Sequence, residues 1–201
     1  MSHLKTQVAE GTLIAWLGRR LPAIMAEFEV PGLSIAVVRD GQILWTGSFG
    51  YADTATWQPV TPETRFEAAS LTKPVCAYAA LKLYECGLLA LDQPLITYLP
   101  DEERAKPWLF DHILNEPRVQ RITTRHVLSH TSGFPNWAPE GEPLRTFFEP
   151  GERFSYSGEG YVYLQQVVAH ITGTPPAAYM RRHLLEPLGM KHTRFTWTEE
   201  E

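Results

Sequence analysis

Ser70-Leu71-Thr72-Lys73 opens a run of residues with helical spacing, and the interpretation of the rest of the chain starts from this tetrapeptide. Residues three positions apart lie on one face of a helix, so the Ser70 hydroxyl and the Lys73 amine can converge without help from distant segments. A serine hydroxyl is a weak nucleophile until a neighbour takes its proton. The pattern therefore predicts a nucleophile beside a base, although Ser-x-x-Lys also occurs by chance in surface helices.

Three further motifs follow in order: ITTRHVLSHTSG ending at Gly133, PGERFSYSG ending at Gly158, and EPLGM ending at Met190. Together with the tetrapeptide they resemble the serine β-lactamase-related family, which includes class C β-lactamases, D-alanyl-D-alanine carboxypeptidases and related carboxylesterases. The resemblance runs from about Val30 to Thr193. It implies an α/β (α+β) fold of the β-lactamase/transpeptidase type, in which an antiparallel sheet flanked by helices is joined to a helical region.

The 201 residues are expected to form a single β-lactamase-like domain. Residues 1–60 would supply an N-terminal helix and a β-hairpin of the sheet region, and residues 61–201 the mainly helical region with the motifs. In the family the remaining strands and the last helix follow this region, and nothing after Thr193 can supply them. The chain is therefore expected to be the N-terminal part of a catalytic domain, and its uncovered sheet edge is expected to favour self-association.

Hydrophobic periodicity predicts the individual elements. An amphipathic helix is expected from Val8 to Phe28, with a kink or restart at Pro22, followed by a hairpin of Leu33–Val38 and Gln42–Tyr51 around an Asp40-Gly41 turn. The next helix should run from Leu71 to Glu85, with Ser70 as its N-cap, a 3₁₀ first turn because of Pro74, and Gly87 past its end. The remaining expectations are a turn and short helix in Leu89–Pro107, a short helix in Thr124–Ser129, a helix in Gly160–Ile171 closed by Gly173, and a helix opened by Thr174-Pro175 that ends before Pro187.

Composition and charge exclude some partners and indicate a compartment. The chain is 44% hydrophobic with a net charge of −5, and no basic stripe exists to follow the phosphates of a nucleic acid. No signal peptide or membrane-spanning run is visible. Cys76 and Cys86 would lie about 15 Å apart on one helix, beyond the reach of a disulfide. Free thiols and the absence of a signal favour the cytoplasm and no membrane partner.

The resemblance assigns catalytic roles to three residues. Ser70 is the expected nucleophile, and Lys73 would hold or relay its proton. Tyr156 matches the tyrosine of the family's Tyr-x-Asn element, where it acts as general base and later protonates the leaving group. The substrate would be a small ester or amide, hydrolysed through an acyl-enzyme without a cofactor or metal.

Two departures from the family pattern concern substrate recognition. Gly158 stands where asparagine is usual, so Ser157, Glu159 or water would have to replace its amide, and β-lactamase activity should suffer more than hydrolysis of simple esters. Gly158 and Trp137, just past the His130-Thr131-Ser132-Gly133 turn, are the expected substrate contacts. A Lys- or His-containing triad ending in Gly is not found after Tyr156, and neither is the late strand that would supply a second oxyanion donor.

Other interpretations remain open from the sequence. Tyr156 could be a packed aromatic residue, and the chain could be a non-catalytic fragment or binding module that keeps the helical region. His126 and His130, four residues apart, match half of a zinc site, but no third ligand has suitable spacing. The turn from His130 to Gly133 is expected to end a helix, with Gly133 at positive φ and His130 bonded to backbone, and it receives no catalytic role.

Overall fold

The computed structural model describes residues 10–100, 116–138 and 144–196. The chain divides into two compact units, Met1–Phe66 and Glu67–Glu201. The first unit contains one long helix and the sheet, and the second contains the other described helices and all the motifs. The single domain expected from the sequence stays a prediction. Within the three described ranges, no helix is both long and apolar enough to cross a bilayer.

Helix α1 of the first unit spans Glu10–Glu27 and continues through Pro22. A proline within a helix removes one backbone hydrogen bond and crowds the preceding turn, yet here the helix neither stops nor restarts. The predicted helix is confirmed from residue 10 onward, and its expected start at Val8 lies outside the described residues. Met25, near the end of the helix, is buried.

The sheet of the first unit has three antiparallel strands in the order β1-β2-β3. Strand β1 spans Gly32–Arg39 and strand β2 spans Gln42–Asp53, as the hairpin prediction required. Asp40 and Gly41 connect them with φ of 50° and 74°, and two positive φ values are those of the type I′ turn that matches strand twist. Strand β3, Gln58–Pro59, was not predicted because two residues carry no periodicity.

The second unit consists of short and medium helices. These are α2 (Thr72–Glu85), α3 (Thr124–Leu128), α4 (Glu159–Thr172) and α5 (Pro176–Met180), with a π-helical turn at Arg181–Leu185 and 3₁₀ turns at Ala69–Leu71, Leu95–Tyr98 and Val119–Arg121. The predicted helices are confirmed, except that α5 begins one residue later than expected, with Pro175 as its N-cap. Residues 101–107 of the expected Leu89–Pro107 segment lie outside the described residues.

Helices α2 and α4 pack together in one hydrophobic core. The predicted face of α4 is confirmed, since Tyr161, Leu164 and Val168 are buried and Ile171 packs against the core. The buried residues of α2 are Cys76, Ala79, Ala80 and Leu83. Small residues on α2 allow α4 to approach closely, and this packing fixes the two helix beginnings that carry the motifs. Gly173 ends α4 with φ of 60°, as expected from the sequence.

Both cysteines are free thiols, as predicted, but their surroundings differ. Cys76 is buried, with its Sγ 3.7 Å from Met180 Sδ, whereas Cys86 is exposed. Burial raises the pKa of the Cys76 thiol to about 11. Because the thiolate is the nucleophile, we expect iodoacetamide at pH 8 to alkylate Cys76 more than about 100-fold more slowly than Cys86.

Mass spectrometry of the native protein over time would measure both alkylation rates. The Cys86→Ser variant is the control, because it leaves only the slow site. Equal rates at the two positions would show that Cys76 is not enclosed in the α2–α4 core.

Candidate active site

Ser70 lies in a 3₁₀ turn, Ala69–Leu71, that leads directly into α2. The predicted role of Ser70 as N-cap is wrong, because the N-cap is Leu71 and no side chain caps this helix. A 3₁₀ turn is present as predicted, but it comes before α2 instead of forming its first turn, and the Thr72 N–H donates to the Ala69 carbonyl. Pro74 is the third residue of α2, where an N–H would have no partner within the helix. The Ser70 hydroxyl is thus left for a contact other than capping.

Ala69, immediately before Ser70, has a left-handed backbone with φ of 43°. This region costs a residue with a Cβ about 1 to 2 kcal/mol. Ala69 is exposed, so packing around its side chain does not explain the conformation. The bend lies at the first residue of the 3₁₀ turn, directly before Ser70, and it therefore helps to set the direction in which the Ser70 side chain leaves the backbone.

Ser70, Lys73 and Tyr156 meet as the sequence predicted. Lys73 Nζ donates a hydrogen bond of 3.0 Å to Ser70 Oγ and lies 4.7 Å from the centroid of the Tyr156 ring. Hydrogen bonds with Lys73, and secondarily with Ser70, lower the pKa of the Tyr156 phenol. Lys73 is half-buried, whereas Ser70 is exposed and Tyr156 keeps 40% of its surface. A hydroxyl, an amine and a phenol therefore share one open site that a small substrate can enter.

Backbone hydrogen bonds hold the Tyr156 segment on the turn that begins at His130. The donors and acceptors are Phe147 N–H to Gly133 O, Gly151 N–H to Thr131 O, Ser155 N–H to His130 O, and Gly158 N–H to Asn136 O, all between 2.8 and 3.0 Å. Gly133 has φ of 87°, and a Cβ there would lie 2.5 Å from the Phe148 carbonyl oxygen. The predicted role of this glycine in the turn is confirmed, and it allows the two segments to approach closely.

Ser157 and Glu159, expected as substitutes for the missing asparagine, have other partners. Ser157 Oγ donates to the Pro135 carbonyl and accepts from the Gly160 N–H, both at 2.9 Å, and so satisfies an amide in the first turn of α4. The Glu159 carboxylate accepts from the Ala138 N–H at 2.9 Å. Both side chains therefore serve to fix the loop of residues 135–138 against α4.

Asn136 and Trp137 fill the space beside Gly158. A Cβ at position 158 would lie 2.5 Å from the Asn136 carbonyl oxygen, 3.1 Å from the Trp137 ring and 3.2 Å from Asn136 Oδ1. Trp137 is 63% exposed, so its ring is accessible beside Gly158, and the substrate contacts expected at Trp137 and Gly158 stay predictions. Sequence reasoning missed Asn136, because the proximity of residues 136 and 158 is tertiary and no local pattern reports it.

Restoring the family's asparagine with Gly158→Asn is expected to destabilise the protein. The new Cβ would overlap the Asn136 carbonyl oxygen, and a backbone atom cannot move away as a flexible side chain does. We expect a loss of about 1 to 3 kcal/mol in the free energy of unfolding, measured by urea denaturation.

Gly173→Asn is the matched control for this experiment. Its φ is 60°, its Cβ would meet nothing within 4 Å, and asparagine tolerates this backbone region at a helix end. Unchanged stability of Gly158→Asn would mean that the loop of residues 135–138 can move away from α4.

His126 and His130 each use Nδ1 to accept a backbone N–H. His126 Nδ1 accepts from the Thr123 N–H at 3.2 Å, while Thr123 Oγ1 accepts from the His126 N–H at 3.3 Å, which forms a capping box at the start of α3. His130 Nδ1 accepts from the Ser157 N–H at 3.0 Å, as the predicted backbone bond requires. Within the described ranges, no three His, Cys, Asp or Glu side chains are placed to hold a metal ion together.

Comparison with known proteins places the chain in a family. A family model described as Beta-lactamase matches residues 17–201, which is most of the chain. The chain belongs to the β-lactamase family. Esterase EstB of Burkholderia gladioli is 34% identical over 93% of this chain and 54% of its own length. Penicillin-binding protein 4* of Bacillus subtilis (strain 168) is 30% identical over 80% of this chain and 37% of its own length. The chain thus spans about half the length of EstB, and less of the other relative.

Solved structures of the β-lactamase family confirm the predicted fold. The octameric penicillin-binding protein homologue from Pyrococcus abyssi has a TM-score of 0.72 and 30% identity, and the match covers 89% of this chain and 43% of that protein. A class C β-lactamase has a TM-score of 0.80 and 24% identity, with coverage of 97% and 54%. The antiparallel sheet with helices and the helical region with the motifs therefore belong to the β-lactamase/transpeptidase-like fold.

Proposed function

We propose that the protein is a serine hydrolase that cleaves small esters or amides through an acyl-enzyme on Ser70. The observation that carries the proposal is the hydrogen bond of 3.0 Å from Lys73 Nζ to Ser70 Oγ, beside the Tyr156 ring, whose centroid lies 4.7 Å from the same amine. A nucleophile within hydrogen-bonding reach of its base is the arrangement that acyl transfer requires. Membership of the β-lactamase family supports the same reaction class.

In the proposed reaction, Ser70 Oγ bonds to the substrate carbonyl carbon while its proton passes to the Lys73–Tyr156 pair. The tetrahedral intermediate then collapses, the bond to the alcohol or amine breaks, and Tyr156 returns a proton to that leaving group. Water attacks the Ser70 ester by the same route, which releases the acid and restores the hydroxyl. The beginning of α2 favours the negative charge that develops on the carbonyl oxygen, since the positive end of the helix dipole lies there.

The surroundings of Tyr156 favour simple esters or amides over β-lactams as substrates. The position of the usual asparagine is Gly158, and the nearby Ser157 and Glu159 side chains are bonded to the loop of residues 135–138. The site therefore offers fewer polar contacts to the acylamino side chain of a β-lactam. The apolar face of Trp137 can instead contact an aliphatic or aromatic group of a simple ester or amide. A relative with 34% identity carries the name esterase EstB, which agrees with this substrate class.

Covalent labelling of the full-length protein tests the proposal. A fluorophosphonate should add once per chain, and peptide mapping by mass spectrometry should find the adduct on Ser70. Prior incubation with an activated ester should slow the labelling. An unlabelled protein, or an adduct that persists at the same rate in Ser70→Ala, would reject the assignment and favour a non-catalytic binding module.

A further inference from the structure

His130 lies at the centre of an aromatic cluster that includes the proposed base. Its ring stacks on the Tyr156 ring, with centroids 4.5 Å apart and an interplanar angle of 28°. Tyr161 from α4 lies 5.3 Å away, and the Phe154 ring meets it edge-on at 5.7 Å. Through Nδ1 and its carbonyl oxygen, His130 also accepts hydrogen bonds from Ser157 and Ser155, which flank Tyr156. One residue thus contacts the phenol ring and both neighbouring backbone amides.

The backbone of His130 is left-handed, with φ of 56°. Non-glycine residues adopt this region uncommonly, and Asn, Asp and His are the most frequent among them. Asparagine or aspartate could therefore form the turn as well as histidine does. What histidine adds is an aromatic ring that stacks on Tyr156.

The hydrogen bond to Ser157 requires a neutral ring with its proton on Nε2, because a protonated imidazole has no acceptor. Burial, and secondarily the positive charge of Lys73, lower the pKa of His130 from its usual 6.5. Among the described residues, the titratable groups that face this ring are Lys73 from α2, Tyr161 from α4 and Tyr156 itself. Protonation would break the bond to Ser157 and place a second cation near Lys73.

We propose that His130 is a positioning residue of this site: its neutral ring and Nδ1 hold the Tyr156 phenol against Lys73, and protonation of His130 releases it. The direction of the pH dependence follows because only the neutral His130 ring can accept the Ser157 N–H. The arrangement is complete above about pH 6.5 and is lost as the pH falls below that value and through the lowered pKa of His130. The effect on the phenol is a property of the folded protein, and its effect on turnover rests on the proposed function.

Nuclear magnetic resonance on the full-length protein with ¹³C-labelled tyrosine and histidine rings tests this role. In the wild type, the Tyr156 Cζ resonance should shift at the midpoint of the His130 titration, below pH 6.5, in addition to its own ionisation at higher pH. In His130→Asn the low-pH shift should vanish, and the ionisation of Tyr156 should move upward toward its usual value near 10. Asparagine suits this variant because it tolerates positive φ and can still accept the Ser157 N–H, yet it neither stacks nor titrates.

His126→Gln is the matched control. Glutamine at this position can keep the capping box of α3, while the second histidine that accepts a backbone N–H is removed. The control should retain both Tyr156 transitions. With an activated ester, His130→Asn should lose roughly 10- to 100-fold in kcat with little change in KM, because displacing a catalytic base by about 1 Å can cost up to about 100-fold in rate.

The proposal is overturned if Tyr156 does not respond to the His130 titration in the wild type, or if His126→Gln changes Tyr156 as much as His130→Asn does. The wild-type titration decides the matter even where His130→Asn fails to fold. A protein that is never acylated at Ser70 would refute the proposed function, while the two resonances would still show whether His130 positions the phenol.

Discussion

Replacing Ser70 with alanine should abolish the burst of product from an activated ester and reduce kcat by roughly 10⁴- to 10⁶-fold. In the proposed reaction the Ser70 hydroxyl oxygen, which accepts the hydrogen bond from Lys73 Nζ, forms the acyl bond, so its removal takes away the nucleophile. The fold should persist, because Ser70 is exposed and does not cap α2. Stopped-flow absorbance with a p-nitrophenyl ester would measure the burst and the steady-state rate together.

Ser129→Ala is the control. It shows whether another exposed serine reacts with the ester and whether preparing a variant protein by itself changes the burst. Ser129 Oγ is exposed and donates to the Arg125 carbonyl, away from the proposed chemistry. This variant should keep the wild-type burst. A burst that survives in Ser70→Ala and disappears in Ser129→Ala would move the nucleophile to another part of the chain.

Tyr156→Phe should reduce kcat by roughly 10²- to 10⁴-fold, the range expected for the loss of a general acid–base group. Phenylalanine keeps the ring that stacks on His130 and removes only the oxygen that contacts Lys73 and Ser70. Binding of substrate should change little, so the loss should appear in kcat more than in KM. Circular dichroism and urea unfolding should show a fold as stable as the wild type.

The pH profile separates a chemical role of Tyr156 from a packing role. Hydrogen bonds with Lys73 and then Ser70 lower the pKa of this phenol from its usual 10, so the phenolate forms at lower pH than in an ordinary tyrosine. Accordingly kcat/KM of the wild type should rise with pH until that lowered pKa is passed. The rise should be absent in Tyr156→Phe. An unchanged profile in the variant would assign the rising limb to another group and leave Tyr156 a packed aromatic residue.

The elements that the sequence could predict are those with a local signal. Periodic apolar residues defined α2 and α4, and Asp40-Gly41 between two apolar runs defined the hairpin with its positive φ values. The convergence of Ser70 and Lys73 was also local, because three residues of helix are enough to bring the two side chains together. Tyr156 could be placed beside them only through the family resemblance, since it lies 83 positions after Lys73.

The features that the sequence could not supply depend on backbone conformation or on tertiary contact. Ser70 looked like an N-cap because serine usually accepts a helix N–H, but the left-handed Ala69 places Ser70 one residue before the cap. Asn136 beside Gly158 and His130 on Tyr156 are contacts between segments more than 20 residues apart. No spacing rule reports such pairs, so the positioning residues of the site had to be found in the structure.

The unusual backbone of Ala69 has a consequence for the variability of this position. Its side chain is exposed, and by surface reasoning almost any residue would be accepted there. The torsion angle instead selects for glycine, asparagine or other residues that endure the left-handed region, and against valine, isoleucine and threonine, whose branched Cβ clashes in it. In a library randomised at codon 69, the residues found in active clones should therefore be those that tolerate a positive φ, whatever the polarity or size of their side chains.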